Sequence, residues 1–355
     1  MNALLAAVDF ASSVDAQFPL FMSPMTGASP VSLAAAISNS GGMGACGTSL
    51  IAPDAITAWA REFRTLSSGA LNINIWIPGP SVIRDVDLET KQRQFLSTWG
   101  PEVPSSAVDI PKQDFEGKCQ AALEAKPTVI SSFLGVFPST FVSAMKAQGI
   151  KWFATVTTVA EAVTAQAAGA DVLVVQGSEA GGHRGSFRAE NAEAEAVGLF
   201  SLLPQVCDAA RIPVVAAGGI SDGRTIAAAL ILGASAVQIG TGWLRTPEAK
   251  IHPAWAKKIA EAAAHDTRLT RAFSGRSGRA IRNDFLEAAA EDGAPKAAAF
   301  PIQLALAFRM IGDAVAKSDP ERFPLWAGQS APLARELPVN DLLQEYWREV
   351  LNYLG

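Results

Sequence analysis

Short runs of β-branched and other apolar residues, each followed by an alanine-rich stretch with helical spacing of its apolar positions, organise the first two-thirds of the chain. The runs fall at 19–23, 43–47, 71–76, 128–134, 152–156, 172–176, 214–217 and 236–240. Helical periodicity fills 30–40, 53–66, 137–148, 159–168 and 222–232. Eight βα steps are the count that closes a parallel barrel, so the expected fold class is α/β, a (β/α)8 TIM barrel. An open doubly wound sheet is the alternative. Gly169-Ala170-Asp171 before the sixth run and Gly233-Ala234-Ser235 before the eighth form an internal echo. Each leads through a valine-rich run to a glutamine near the strand end, Gln176 and Gln238. The glycine suits a helix C-terminus turning into the next strand, and the repeat favours the barrel.

Two regions break the alternation. After Trp76 comes a Pro- and Gly-rich loop (Pro78, Gly79, Pro80) and a polar stretch reaching about Asp114. After the eighth run, residues 243–317 hold helical segments with Trp and Arg punctuation but no further βα unit. They are expected to form an inserted, mostly helical substrate-binding cap over the barrel mouth. The expected division is a barrel at 1–242, the cap at 243–317, and a terminal helix within 318–355 that packs back on the barrel.

The composition changes this picture little. A chain of 355 residues, 49% hydrophobic and 18% charged, is globular with a large core. A formal net charge of -5 gives no electrostatic reason to expect nucleic acid or an anionic membrane as partner. No window approaches the roughly 18 uninterrupted apolar residues of a spanning helix. The first fifteen residues lack a basic segment and are interrupted by Asp9, so they do not read as a signal peptide, and a cytoplasmic location is expected. Cys46, Cys119 and Cys207 have neither metal spacing nor an even count for disulfides, and read as buried thiols.

Candidate chemistry lies where the strands end. Gly218-Gly219 follows the seventh run and Gly240-Thr241-Gly242 the eighth. Such groups expose backbone N–H without Cβ obstruction, and the helix opening at Ser221-Asp222 is expected to add a positive dipole end, so a phosphate-bearing cofactor fits. The first run ends in Ser23-Pro24-Met25-Thr26-Gly27, and the third carries Asn72 and Asn74 on one side. Asn74, nearer the strand end, is the candidate ligand. The most informative segment is Gln176-Gly177-Ser178-Glu179-Ala180-Gly181-Gly182-His183-Arg184-Gly185. Of the three histidines, His252 and His265 read as surface residues of the cap. His183 sits at the mouth, where an imidazole with a free pKa near 6.5 suits proton transfer. Glu179 reads as structural, and no histidine or carboxylate cluster near it has metal spacing.

Several of these motifs together carry a resemblance. The run 176–185, Pro24-Met25-x-Gly27, Gly41-Gly42-Met43-Gly44, Ala217-Gly218-Gly219-Ile220-x-Asp222-Gly223-Arg224 and Gly233-Ala234-x-x-Val237-Gln238-x-Gly240-Thr241 occur in order. So do Ser274-Gly275-Arg276-Ser277, Trp326-Ala327-Gly328-Gln329 and Leu333-Ala334-Arg335. The chain resembles the nitronate monooxygenase family, formerly called 2-nitropropane dioxygenases, over nearly its whole length. The resemblance implies non-covalent FMN and oxidation of alkyl nitronates or nitroalkanes, such as propionate 3-nitronate, with O2 as electron acceptor. It implies FMN contacts at Met22, Ser23, Pro24, Asn74, Gln176, Gly181, Gly218, Gly219, Gln238, Ile239, Gly240 and Thr241, and His183 as catalytic base. Phe133, Ser274, Phe300 and Leu304 are the substrate-binding candidates.

The chain departs from the family pattern at two places. Strand four reads Ser131-Ser132-Phe133-Leu134-Gly135, where relatives tend to carry a histidine. The cap run Phe300-Pro301-Ile302-Gln303-Leu304, continuing to Phe308, is apolar where relatives place tyrosines and a lysine. A larger or more apolar substrate is expected. Related FMN barrels that reduce enoyl thioesters or quinones with NAD(P)H share the glycine–histidine loop and form the second reading. A flavin-binding protein without turnover is the third. The expected partners are a small-molecule substrate and O2, with a homodimer left open.

Overall fold

The computed structural model describes residues 3–110 and 113–355. Its strands are β1 (Leu20–Met22), β2 (Gly44–Gly47), β3 (Leu71–Trp76), β4 (Val129–Phe133), β5 (Lys151–Val156), β6 (Val172–Gln176), β7 (Gly182–His183), β8 (Val214–Ala217), β9 (Ala236–Ile239), β10 (Thr267–Thr270) and β11 (Gly278–Ile281). Eight of them form one parallel sheet in the order β1-β9-β8-β6-β5-β4-β3-β2. Its two edges meet: Phe21 bridges Met43, and the Met22 N–H donates to the Met43 carbonyl at 2.9 Å. The sheet is therefore a barrel with helices around it, as the eight-step pattern predicts.

Strand alternation sorts the side chains into two cores. Leu71, Ile73 and Ile75 of β3 pack outward with the surrounding helices, together with Leu173 and Val175 of β6 and Val237 and Ile239 of β9. Phe21, Val129, Phe153, Val172, Val174, Val215 and Ala236 fill the barrel floor. On five strands the next inward position is polar, Ser23, Ser131, Thr155, Gln176 and Gln238, joined by Asn74, while β8 continues with Ala217. The lumen thus changes from apolar below to polar above. That gradient suits a closed floor beneath a wet, ligand-facing mouth.

The floor has a plug that hydrophobic patterning did not suggest. The helix Ala3–Ser12 and the turn after it bring Ala11, Val14 and Ala16 against the barrel floor. Phe10 lies 6.3 Å from the Phe21 ring and 6.4 Å from that of Phe153.

The cap has its own core. Helix Val86–Trp99, from the insertion after β3, packs on helix Ile302–Ala316 and joins Phe273, Phe285, Leu306 and Met310 around Leu96. A buried amide pair ties the two helices: Gln303 Nε2 donates to Gln92 Oε1 at 3.2 Å, and Gln92 Nε2 donates to the carbonyls of Pro295 and Lys296. Besides its helices the cap holds an antiparallel ribbon, β10 with β11. β7, which leaves the barrel after β6, is the third strand of that small sheet.

The terminal helix, Val339–Leu354, packs against the helices Gly223–Ile231 and Val31–Asn39, burying Leu342, Leu343, Tyr346 and Val350. The Tyr346 hydroxyl is buried without a hydrogen-bond partner among the described residues, although its ring is well placed 5.5 Å from that of Trp243. An unsatisfied buried hydroxyl costs about 1–3 kcal/mol. Tyr346→Phe is therefore expected to keep or raise the melting temperature; a fall of several degrees would show that the hydroxyl has a partner.

Candidate active site

β7 pairs with β11 in antiparallel register, His183 opposite Gly278 and Gly182 opposite Arg279. The pairing lifts His183 off the barrel rim and presents it between barrel and cap. Its ring lies 5.1 Å, edge-on, from the indole of Trp76 at the end of β3, and 5.0 Å from Trp326. Nε2 stands 2.7 Å from Ser274 Oγ. That hydroxyl has one hydrogen, and the Arg276 carbonyl at 3.2 Å competes for it, so its direction sets the imidazole tautomer. Nδ1 has no hydrogen-bond partner among the described residues.

The surroundings change the chemistry expected of this histidine. Burial among aromatic rings, and secondarily the positive charge of Arg276, push its pKa from 6.5 down to about 4. The residue nevertheless keeps part of its surface open to the mouth. The imidazole is neutral at physiological pH and cannot serve as a resident cation.

The loop that carries His183 is braced from beneath. The Gln176 amide is spent on it at both ends: Nε2 donates to the His183 carbonyl at 3.0 Å, and Oε1 accepts from Gly185 N–H at 2.8 Å. The buried Arg184 guanidinium donates to the carbonyls of Gly177 and Gln176. Glu179 is structural, as expected, its carboxylate accepting the Leu199 N–H. Gly181 is a glycine for packing. A Cβ there would stand 2.5 Å from the Ala327 carbonyl carbon and the Gly328 nitrogen. The same segment is sewn down by Gly328 N–H to Thr241 Oγ1 at 2.9 Å and Gln329 N–H to the Glu179 carbonyl at 3.0 Å. Three motifs far apart in sequence thus meet around one loop.

Facing that loop are the ends of β8 and β9. Gly218 and Gly219 both adopt positive φ, +101° and +72°. The N–H groups of Gly218, Gly219, Gly240 and Thr241 have no acceptor among the described residues. The Gln238 side chain is buried and likewise unbonded, while Asn74 donates to Ser131 Oγ at 2.9 Å and keeps its carbonyl oxygen uncommitted. Buried polar groups normally have partners, so this set suits a ligand that brings both an anion and hydrogen-bonding ring atoms. The helix dipole is not part of it. The opening of helix Gly223–Ile231 is expected from sequence to offer free N–H groups, but Asp222 accepts from Thr225 N–H at 2.9 Å and Glu349 from Gly223 N–H at 2.7 Å. Two carboxylates already cap that end.

The remaining candidates divide. Met22 and Ile239 bury their side chains toward the helices, leaving only backbone near the mouth, where Ser23 N–H donates to the Ile239 carbonyl. Pro24 follows directly. Phe133 and Phe300 both lie against Trp76, at 5.3 and 5.8 Å between ring centres, and with Trp326 make an aromatic wall beside His183. Ser274 is in contact with the histidine itself. Leu304 sits further on, in the first turn of helix Ile302–Ala316, half-buried and without a recorded ring or polar contact to His183. Trp76 and Arg276 were not singled out from sequence. Trp76 closes a strand whose alternation already placed Asn72 and Asn74 inward, so the same rule points to it. His265 is exposed, whereas His252 is half-buried, its Nδ1 capping helix Pro253–Glu261 by accepting the Ala254 N–H. The three thiols are free and pushed up by burial, Cys207 to about 11, which leaves them unreactive. A hollow of about 690 Å³ at the opposite end of the barrel, lined by Asp15, Arg64, Lys126 and Lys151, contains no histidine or orphaned polar group.

The chain is similar to known proteins over nearly its whole length. A family model described as nitronate monooxygenase matches residues 10–349. The nitronate monooxygenase of Pseudomonas aeruginosa is 37% identical over 340 residues, 94% of this chain and 96% of that protein. That of Paraburkholderia phytofirmans is 35% identical over 338 residues, 94% and 92%. Among solved structures, nitroalkane oxidase from Streptomyces ansochromogenes superposes with a TM-score of 0.89 at 32% identity, covering 96% of this chain and 98% of that one. FabK from Thermotoga maritima superposes at 0.75 with 28% identity, covering 97% and 96%. No helix among the described residues is long and apolar enough to cross a membrane.

The interlock around Gly181 can be tested. Gly181→Ala forces its methyl into the Ala327–Gly328 backbone, an overpacking worth about 1–3 kcal/mol. The variant is expected to melt lower and to retain less yellow cofactor on gel filtration. An unchanged melting temperature and cofactor content would contradict the interlock.

Proposed function

The chain belongs to the nitronate monooxygenase family, and on that premise we propose that it oxidises alkyl nitronates with O2 at an FMN seated over the barrel mouth. Family membership makes it a flavin-dependent oxidoreductase; the finer reading concerns which flavin, which substrate form and which residues. The observation that carries it is the set of unpaired N–H groups at Gly218, Gly219, Gly240 and Thr241 beside the His183 loop. They suit the single phosphate of FMN, and the amides of Asn74 and Gln238 suit its ring system. The backbone at Met22, Ser23, Pro24 and Ile239 would line the remaining edge. Gln176 and Gly181 would act by fixing the loop's shape. Bound there, the flavin supplies a two-electron acceptor that O2 can reoxidise.

His183 is the acid–base residue in this reading, and its low pKa decides the substrate form. A neutral imidazole has a lone pair for the α-proton of a nitroalkane, and Ser274 fixes the ring's orientation. An imidazole of pKa about 4 is nevertheless a weak base. The nitronate, already deprotonated, is therefore the better substrate. The wall of Trp76, Phe133 and Phe300, with Leu304 beyond it, suits an apolar body on that substrate.

Anaerobic mixing of the yellow holoenzyme with a nitronate, its parent nitroalkane, NADH and NADPH tests the proposal. The nitronate is expected to bleach the flavin, the nitroalkane at least about tenfold more slowly, and the nucleotides not at all. In His183→Asn the nitroalkane arm should fall further than the nitronate arm. A nitronate that leaves the flavin oxidised, or faster bleaching by a nucleotide, would favour the reductase reading instead.

A further inference from the structure

We propose that Arg276 is the residue that pairs with the negative charge of the substrate, so that the pocket binds a nitronate as an anion. The inference rests on the nitronate reading above. It starts from a charge that the site must balance: in a low-dielectric mouth an unpaired anion is costly, and the histidine is not available as a cation. The aromatic wall offers only the neutral indole N–H groups of Trp76 and Trp326, which can donate a hydrogen bond but carry no positive charge.

Four arginines surround the His183 loop, and three are committed. Arg184 donates to the carbonyls of Gly177 and Gln176. Arg279 donates to the Ser178 carbonyl and to Thr267. Arg271 is paired with Glu193 at 2.6 Å and also binds the Ala189 carbonyl. Among the described residues Arg276 has no carboxylate within ion-pair distance, and its guanidinium makes a single hydrogen bond, from Nη2 to the Ser186 carbonyl at 3.0 Å. Glu190, the acid whose field reaches it, is exposed and paired with Arg188.

Its position is equally specific. Ser274 Oγ, which touches His183 Nε2, also accepts the Arg276 N–H at 3.3 Å. The Ser186 carbonyl that holds the guanidinium lies three residues beyond His183. It adjoins Gly185, where a Cβ would meet the Phe133 ring at 2.9 Å. Arg276 therefore reaches the loop just past the histidine, next to the glycine that packs on Phe133, and its charge is felt at the imidazole. Burial and the neighbouring Arg271 push its own proton affinity down, to about 10, which leaves it charged at neutral pH. A half-buried guanidinium with most of its donors unspent is a costly arrangement for the free protein. A planar oxyanion, which matches the fork of a guanidinium, would relieve it.

The test uses holoenzyme carrying Arg276→Gln and Arg276→Lys. For a nitronate, Arg276→Gln is expected to raise KM by about ten- to a hundredfold with a smaller effect on kcat, the size of a lost charge-assisted hydrogen bond. Arg276→Lys should recover part of that loss. The KM of the neutral parent nitroalkane should move little in either variant. Nitrate, a planar anion that cannot react, gives a second readout: its dissociation constant, followed by flavin absorbance, should weaken in parallel. An unchanged nitronate KM, or an equal rise for nitronate and nitroalkane, would overturn the assignment. If no nitronate reduces the wild type, the reaction reading falls by itself, and the nitrate comparison still decides Arg276.

Discussion

The pairing of Gly182–His183 with Gly278–Arg279 is the constraint from which the rest of the mouth follows. It takes two residues out of a barrel loop and makes them the edge of the cap's sheet. Once that register is set, Ser274 and Arg276, in the turn just before β11, arrive beside the imidazole. Gly278 must remain small because a Cβ would stand 2.9 Å from the Trp326 ring, the ring that stacks near His183. Arg184, next in line, turns down into the barrel and ties off the carbonyls of the loop it belongs to. Barrel and cap are thus joined at His183, the residue to which we assign the acid–base step.

That junction divides the work between two kinds of surface. Beneath it lies a polar layer, Asn74, Gln176 and Gln238 above a floor of Val and Phe, with unpaired backbone N–H groups at the ends of β8 and β9. Above it lies an aromatic wall that desolvates His183. Desolvation is the larger cause of the lowered pKa and the nearby guanidinium the smaller. The consequence is a separation of roles: a neutral histidine positioned by a serine, and the fixed positive charge one step away on Arg276.

The barrel was legible because its strands are short buried runs, most followed directly by a helix of apolar periodicity, with the insertion after β3 as the interruption. The glycine motifs were legible as backbone signals, and at Gly181 the close approach of Ala327–Gly328 by itself already requires a residue without a Cβ. The ribbon of β10 and β11 was not. Its sequences, Thr-Arg-Leu-Thr and Gly-Arg-Ala-Ile, are short and carry no clean alternation, and the β7–β11 pairing joins residues more than ninety positions apart that no local pattern links. The capped opening of helix Gly223–Ile231 was misread for a similar reason: Glu349, which occupies it, comes from the far end of the chain. Arg276 could not be told from its three neighbours by sequence, because what distinguishes it is the absence of a carboxylate in space.

The chemistry of the mouth turns on a histidine that is neutral in its aromatic and serine-bound setting. A nitrogen-NMR titration of the ring nitrogens of His183 in the holoenzyme, assigned by comparison with a His183→Asn sample, measures that directly. The imidazole is predicted to remain neutral as the pH is lowered and to take up its proton only near pH 4. A midpoint close to the ordinary 6.5 would contradict the account, since the histidine itself could then carry the charge that we assign to Arg276.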